Sequence, residues 1–258
     1  MVSVHPAAIV AADTRLAPGV EIGPYSVVGA DVSIGEGTVI GAHVVIATRT
    51  TIGRNNRIFQ FASIGEIPQD RKYDGAPTRT VIGDGNVIRE FVTIHAGTAQ
   101  DRGVTSVGNG NWLLAYTHIA HDCVIGNDTT FSNNAQLAGH VLVDDFAGLG
   151  GFVGVHQFCR VGAYAFVAAG SIVLQDIPPY VTVAGNPAKP HGTNSEGLRR
   201  RGFSADDLAV IKRAYKTLYR AGLPLEQARA KICEEALSAP VLKPLAAFLE
   251  SPGRGLVR

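Results

Sequence analysis

Aliphatic side chains recur at every sixth position from Val4 through Val10, Leu16, Ile22, Val28, Ile34, Ile40, Ile46, Ile52 and Ile58 to Ile64. The phase resumes at Ile82, Ile88 and Ile94. It then runs one residue out of step from Val107 through Leu113, Ile119, Ile125, Phe131, Leu137, Val143, Leu149, Val155, Val161 and Val167 to Val173. A period of six fits neither a helical turn nor the two-residue alternation of a strand, so it predicts short strands separated by turns and coiled as a solenoid. Glycine often follows the aliphatic residue, as at Ile22-Gly23, Ile34-Gly35, Ile125-Gly126 and Val161-Gly162, and supplies the corners. The stacked aliphatics are expected to fill the interior, each contributing about 1.5–3 kcal/mol by burial. A β-sandwich does not account for the pattern, because its strands do not hold one phase over so many units.

The phase fails twice. Asp70 and Ala76 occupy aliphatic positions between Ile64 and Ile82, and the register slips between Ile94 and Val107. Loops near 66–80 and 96–106 are therefore predicted to leave the solenoid. The first, GEIPQDRKYDGAPTRT, mixes charge, proline and glycine, and loops on a rigid scaffold often carry function. The hexapeptides end at about residue 190, which divides the chain into a repeat body, 1–190, and a helical domain, 191–258. Ser204 and Asp207 resemble a capping box, and Leu208, Ile211, Tyr215 and Leu218 recur at helical spacing until Gly222. A second helix is expected to start near Leu225 and a third to span about Val241 to Glu250. This tail should cap or flank one end of the solenoid, whose strand edges need cover.

Composition sharpens the picture. Thirty glycines with 7% aromatic residues suit many tight turns and slim side chains rather than a bulky core. A formal net charge of +1 gives no field that would recruit nucleic acid or an anionic membrane, so any basic site must be local. No apolar run approaches the roughly 18 residues of a transmembrane span, and MVSVHPAAIV has no signal-peptide character, so a cytoplasmic protein is expected. Cys123, Cys159 and Cys233 lack CxxC spacing and read as reduced, structural thiols.

The six-residue pattern resembles the left-handed parallel β-helix of the hexapeptide acyltransferases, a triangular prism with about 18 residues per coil. The fold class expected is thus mainly β, a left-handed parallel β-helix with a C-terminal α-helical domain. On that winding, positions 121, 139 and 157 stack on successive coils at the ~4.8 Å spacing of neighbouring strands. His121 should then lie beside His140 and His156, each within one residue of the column, with His118 just before it in HIAHD. Such a cluster admits two chemistries. A neutral imidazole can take a proton from a hydroxyl nucleophile, and it can equally ligate zinc. One carbonic anhydrase class uses this β-helix with three histidine ligands, which makes a zinc-dependent hydratase the alternative; the long helical tail speaks against it.

Seven segments, IGEIPQDRKY, TIHAGT, HIAHDC, LAGHV, VHQFCRVGA, DIPPYV and NSEGLRRRGF, resemble in that order those of the UDP-N-acetylglucosamine 3-O-acyltransferase family over essentially the full chain. The resemblance implies that His121 is the general base for the sugar 3-hydroxyl, which attacks the thioester of a 3-hydroxyacyl acyl carrier protein. It makes the backbone N–H of Gly139 the oxyanion donor. Asp122, another carboxylate or a backbone carbonyl would fix the imidazole tautomer. It also implies that Asp70 and Lys72 hold sugar and phosphates, and that His118, His140, His156 and Gln157 surround the glucosamine and acyl groups. Asn194, Glu196, Arg200 and Arg201 would bind the nucleotide, the arginine forks suiting diphosphate oxygens. Lys212, Arg213, Lys216 and Arg220 are candidates for docking the acidic carrier protein. By the same resemblance the enzyme begins lipid A synthesis, needs no cofactor or metal, and is a homotrimer with its sites between subunits. Long-chain members of the family carry glycine where this chain has Ala169, so the resemblance implies that Ala169 is an acyl-chain ruler, giving a preference somewhat shorter than that of the longest-chain members, or a looser one.

Overall fold

Each hexapeptide turns two side chains inward: the periodic aliphatic and the residue two places before it. Val20 and Ile22, Ser26 and Val28, Val32 and Ile34, and Thr38 and Ile40 are all buried in this way. A corner follows each pair, so most strands are only two residues long. In the computed structural model, which describes residues 1–250 and 253–258, these strands form three parallel sheets. The first face has eleven strands, starting at Ser3–Val4; the second has nine, from Ile9–Val10 to Ile172–Val173; the third has eight, from Arg15–Leu16 to Arg160–Val161. Together they make a left-handed parallel β-helix. The interior is aliphatic from Ile22 onward, whereas Val4 at the first coil is 41% exposed because no coil lies beneath it.

The corners repeatedly place a non-glycine residue in the left-handed backbone region, as at Tyr25, His43, Phe61, Phe91 and Tyr116. That conformation costs roughly 1–2 kcal/mol at each position. Here the five rings stack on successive coils with centroids 4.8–5.3 Å apart, which offsets part of the cost. Along another corner a buried polar ladder ties the coils together. Asn56 Oδ1 accepts from the backbone N–H and side-chain amide of Asn86, and Asn86 Oδ1 accepts from the same two groups of Asn111, all at 2.9 Å.

The ladder also measures the two insertions. Its partners are 18 residues apart below the loops, 30 apart across the first, 25 across the second and 18 again above. Residues 67–78 leave between Ser63–Glu66 and Arg79–Ile82, and residues 96–103 leave between Thr93–His95 and Val104–Val107. Both exits lie at the corner between the second and third faces.

At the top of the prism Val181–Ala184 still pairs in parallel with Phe166–Val167, and Lys189–Thr193 turns back antiparallel to it. The helices follow: α1 (Ser195–Arg200), which the hydrophobic pattern did not predict, α2 (Ala205–Tyr219), α3 (Leu225–Ser238) and α4 (Lys243–Glu250). The Ser204/Asp207 capping box forms at the start of α2, each side chain bonded to the other's backbone N–H. A second apolar cluster, including Tyr180, Leu198, Ile211, Leu218 and Ile232, joins helices to prism. The chain end returns to the prism, where Val257 is buried and its N–H donates to the Asp176 carbonyl at 2.9 Å. Among the described residues no helix is long and apolar enough to cross a membrane.

Candidate active site

At the corner between the second and third faces, just above the loop exits, three side-chain columns run side by side up the coils. Gly139 stands over His121, and the Phe158 N–H donates to the Gly139 carbonyl at 3.2 Å, as the His140 N–H does to the His121 carbonyl at 3.0 Å. His140 stands one place along, over Asp122 and under Phe158, with all three backbones left-handed. His156 belongs to the column on the other side. The histidines predicted to share an edge therefore do so, but the residue directly above His121 is the glycine. That choice has a steric cause, because a methyl built on Gly139 would meet His121 Cε1 at 2.5 Å and Nε2 at 2.7 Å. Only glycine lets the imidazole lean onto the next coil.

The tautomer of His121 is fixed by its neighbour. Asp122 Oδ2 lies 2.9 Å from His121 Nδ1, and Asp122 is buried. Burial alone would raise its pKa. Hydrogen bonds from His121 and from the Thr98 hydroxyl and backbone N–H outweigh that and hold the carboxyl below its ordinary range. An ionised carboxylate can only accept, so Nδ1 carries the proton and the Nε2 lone pair faces Gly139. Of the orienting groups left open by the sequence, Asp122 is the one in place.

The other histidines are held as firmly. His140 donates from Nδ1 to Asp101 Oδ2 at 2.7 Å, stacks on Phe158 at 4.3 Å, and meets the His121 ring edge to face at 5.0 Å. His118 Nδ1 lies 2.7 Å from the Thr93 hydroxyl, and burial, followed by the charges of His95 and His121, pushes its pKa down to about 4. It stays neutral near physiological pH. His95 is buried edge-on beneath it, and burial lowers its pKa too.

Two clefts adjoin these residues and a third lies across the prism. One of about 480 Å³ on the second face contains His118, His121, Gly139 and His156. A second, of about 770 Å³, lies round the corner against the third face and contains Asp70, Lys72, Asp101, Asp122 and His140. Both loops line it, so the predicted loop residues and histidines meet. The third cleft, about 1000 Å³, opens on the first face and holds Asn194, Glu196, Arg200 and Arg201. There the Asn194 side chain caps α1, accepting from the Gly197 N–H at 3.2 Å; Glu196 pairs with Arg199 and Arg200; and Arg201 packs over Phe146 at 4.3 Å. The first face is opposite the His121 corner, so one chain does not bring these four residues to His121. Gln157 is exposed beside His156, whereas Ala169 sits exposed at the corner between the first and second faces and lines none of the three clefts.

The imidazole, its carboxylate and the glycine N–H above them are the groups that a proton-transfer site would use, and comparison with known proteins shows the family. A family model described as UDP-N-acetylglucosamine O-acyltransferase, domain 2, matches residues 176–257, and a bacterial transferase hexapeptide model matches 13–48 and 105–139. The chain is 62% identical over 258 residues to the acyl-[acyl-carrier-protein]–UDP-N-acetylglucosamine O-acyltransferase of Thiobacillus denitrificans, covering 100% of both chains. It belongs to that acyltransferase family. The Janthinobacterium enzyme of the same name is 58% identical, with 99% of each chain covered. Among solved structures, the Francisella novicida UDP-N-acetylglucosamine acyltransferase superposes with a TM-score of 0.97 at 46% identity, covering 99% of this chain and 94% of that one. The Arabidopsis acyltransferase does so with 0.85 at 33% identity, covering 99% and 100%.

Membership in the acyltransferase family overturns the zinc-hydratase alternative. The geometry also departs from the histidine trio that alternative needed, since among the described residues the group close enough to share an ion is His121, Asp122 and His140, without His156. Both Asp122 and Nδ1 of His140 are already committed to protein partners. Sequence reasoning missed Thr98, Asp101, Thr93, Phe158 and the role of His95. Thr98 and His95 stand in the quoted TIHAGT segment, which was a usable signal. Asp101 lies within an insertion that has no rung position, so the repeat arithmetic could not place it.

Proposed function

We propose that the chain transfers a 3-hydroxyacyl group from acyl carrier protein to the 3-hydroxyl of UDP-N-acetylglucosamine, the reaction that begins lipid A synthesis, and that it works in the cytoplasm without cofactor or metal. The observation that carries this reading is the His121–Asp122 pair under Gly139. Nε2 of His121 takes the proton of the sugar hydroxyl as the oxygen attacks the thioester carbonyl. The carbonyl oxygen becomes an oxyanion beside the Gly139 N–H, for which no acceptor is found among the described residues. Collapse of the tetrahedral intermediate expels the carrier thiolate, which recovers the proton from His121. A positioned histidine supplies about 10²–10⁴ in rate, and one oxyanion donor about 3 kcal/mol.

Around this centre Asp70 and Lys72 hold sugar and phosphates, and His118, His140, His156 and Gln157 surround the glucosamine and acyl groups. Asn194, Glu196, Arg200 and Arg201 bind the nucleotide. Because the last four lie on the opposite face of their own chain, they serve a neighbouring copy, which is the physical reason for a homotrimer with its sites between subunits. Lys212, Arg213, Lys216 and Arg220 are exposed, all in or immediately after α2, and offer a basic surface to the acidic carrier protein. The test is release of free thiol from 3-hydroxyacyl carrier-protein thioesters with and without UDP-N-acetylglucosamine. Release that requires the sugar nucleotide is expected; release at the same rate without it would overturn the reading.

A further inference from the structure

Beneath the histidines of the corner lies one that the proposed reaction does not use. His95 is 6% exposed, and its Nδ1 is buried with no hydrogen-bond partner among the described residues. A phenyl ring would fill the same space without an unsatisfied nitrogen, so stability alone does not account for an imidazole there. Its surroundings do. The Ser63–Glu66 strand takes in an extra residue after Ile64, Gly65, left-handed at φ 79°, and this brings Glu66 level with His95. The Glu66 carbonyl accepts from the Ala96 N–H at 2.9 Å and its carboxylate from the Ile67 N–H at 2.9 Å, so Glu66 is the root of the first loop. The Glu66 charge and the Ile67 carbonyl both draw a proton towards the His95 ring, and burial outweighs them. The same ring meets His118 edge to face at 5.1 Å.

Just beyond its root the loop crosses the corner: Gln69 lines the cleft with His118, His121 and Gly139, and Asp70 and Lys72 line the cleft on the third face. Residues 68–77 hydrogen-bond only to one another and to Thr78. Apart from the burial of Pro68, the position of these three side chains is therefore set where the loop leaves the prism. We infer that His95 is a positioning residue for the acceptor sugar nucleotide: one buried ring registers the loop root, through Glu66 and Ile67, against His118, and so fixes Gln69, Asp70 and Lys72 relative to His121. The inference rests on the acyl-transfer reading and adds to it a residue that touches neither substrate nor reacting atoms. Asp122 holds His121, whereas His95 holds the loop, so loss of the imidazole raises KM for the acceptor and spares the chemical step.

The experiment measures kcat and both KM values for UDP-N-acetylglucosamine and a 3-hydroxyacyl carrier-protein thioester, with the full chain and its variants. His95→Phe keeps the ring and loses both nitrogens; it is expected to raise KM for the sugar nucleotide at least about tenfold, with kcat and the thioester KM within about threefold of wild type. His95→Gln, which returns a polar group able to bond the Ile67 carbonyl, is expected to bring the acceptor KM back to within about threefold. Trypsin reports the loop directly, because Arg71 and Lys72 are exposed in it. Cleavage there is expected to be at least about threefold faster in His95→Phe than in wild type, with the rest of the chain equally resistant. An acceptor KM within about twofold of wild type in His95→Phe, a joint change in kcat and both KM values, or a Gln variant no better than Phe overturns the inference while the acyl-transfer reading stands. Wild-type protein that transfers no acyl group to the sugar nucleotide overturns both. Should His95→Phe fail to assemble, His95→Leu is read in the same way.

Discussion

An imidazole whose Nδ1–H is committed to a buried carboxylate can accept a proton only at Nε2, and in this protein that nitrogen lies against a glycine on the next coil. In the proposed reaction the two residues act as one unit: Gly139 admits the ring, and its N–H would face the oxygen that becomes charged. Gly139→Ala is expected to leave the fold intact but to lower kcat by about 10²–10³, because the methyl displaces the ring and tilts the donor. Steady-state kinetics on the variant, with circular dichroism to confirm the fold, checks it; a kcat near wild type would show that the ring does not need that space. His121 and Gly139 were legible in the sequence because a fixed winding converts residue number into height and edge. Thr98 and Asp101, which hold Asp122 and His140, were not, because loop residues have no rung. The arithmetic also placed His140 near His121 without showing that it stands over Asp122, since a one-residue offset at a corner changes the column.

At the scale of the element, a two-residue strand has little to hold it, and the coils depend on what runs between them. Interior aliphatics give the bulk of the burial, and the Asn56–Asn86–Asn111 ladder gives the register across both insertions. Asn86→Ala removes the acceptor for the Asn111 N–H and side-chain amide and takes from Asn56 Oδ1 one of its two donors, the Asn86 amide, leaving only the backbone N–H. A loss of at least about 2 kcal/mol is expected, since buried unsatisfied groups cost about 1–3 kcal/mol each. Chemical unfolding at fixed protein concentration measures it, and an unchanged midpoint would mean that the ladder contributes no stability. The strands were readable from period six alone. The short helix α1 was not: it carries one buried apolar residue, Leu198, and so leaves no hydrophobic stripe, and its start is set by Asn194 capping the Gly197 N–H.

The molecule as a whole separates what the proposed reaction must bring together. The His121 corner and the segment 194–201 lie on opposite sides of one prism, and the sequence could not show this because the tail's approach to the prism follows from helix packing rather than from a period. On the proposed function, one site is shared by two copies, with His121 from one and the arginines proposed to bind the nucleotide from the next. The direct measurement is acyl transfer by trimers co-assembled from His121→Ala and Arg200→Ala chains. Each variant alone is expected to lose about 10²-fold or more. An equal mixture is expected to recover about a quarter of wild-type activity, because in a closed ring that fraction of sites pairs an intact His121 with an intact neighbouring arginine. A mixture no more active than its parts, or a His121→Ala protein that works nearly as well as wild type, would contradict the account.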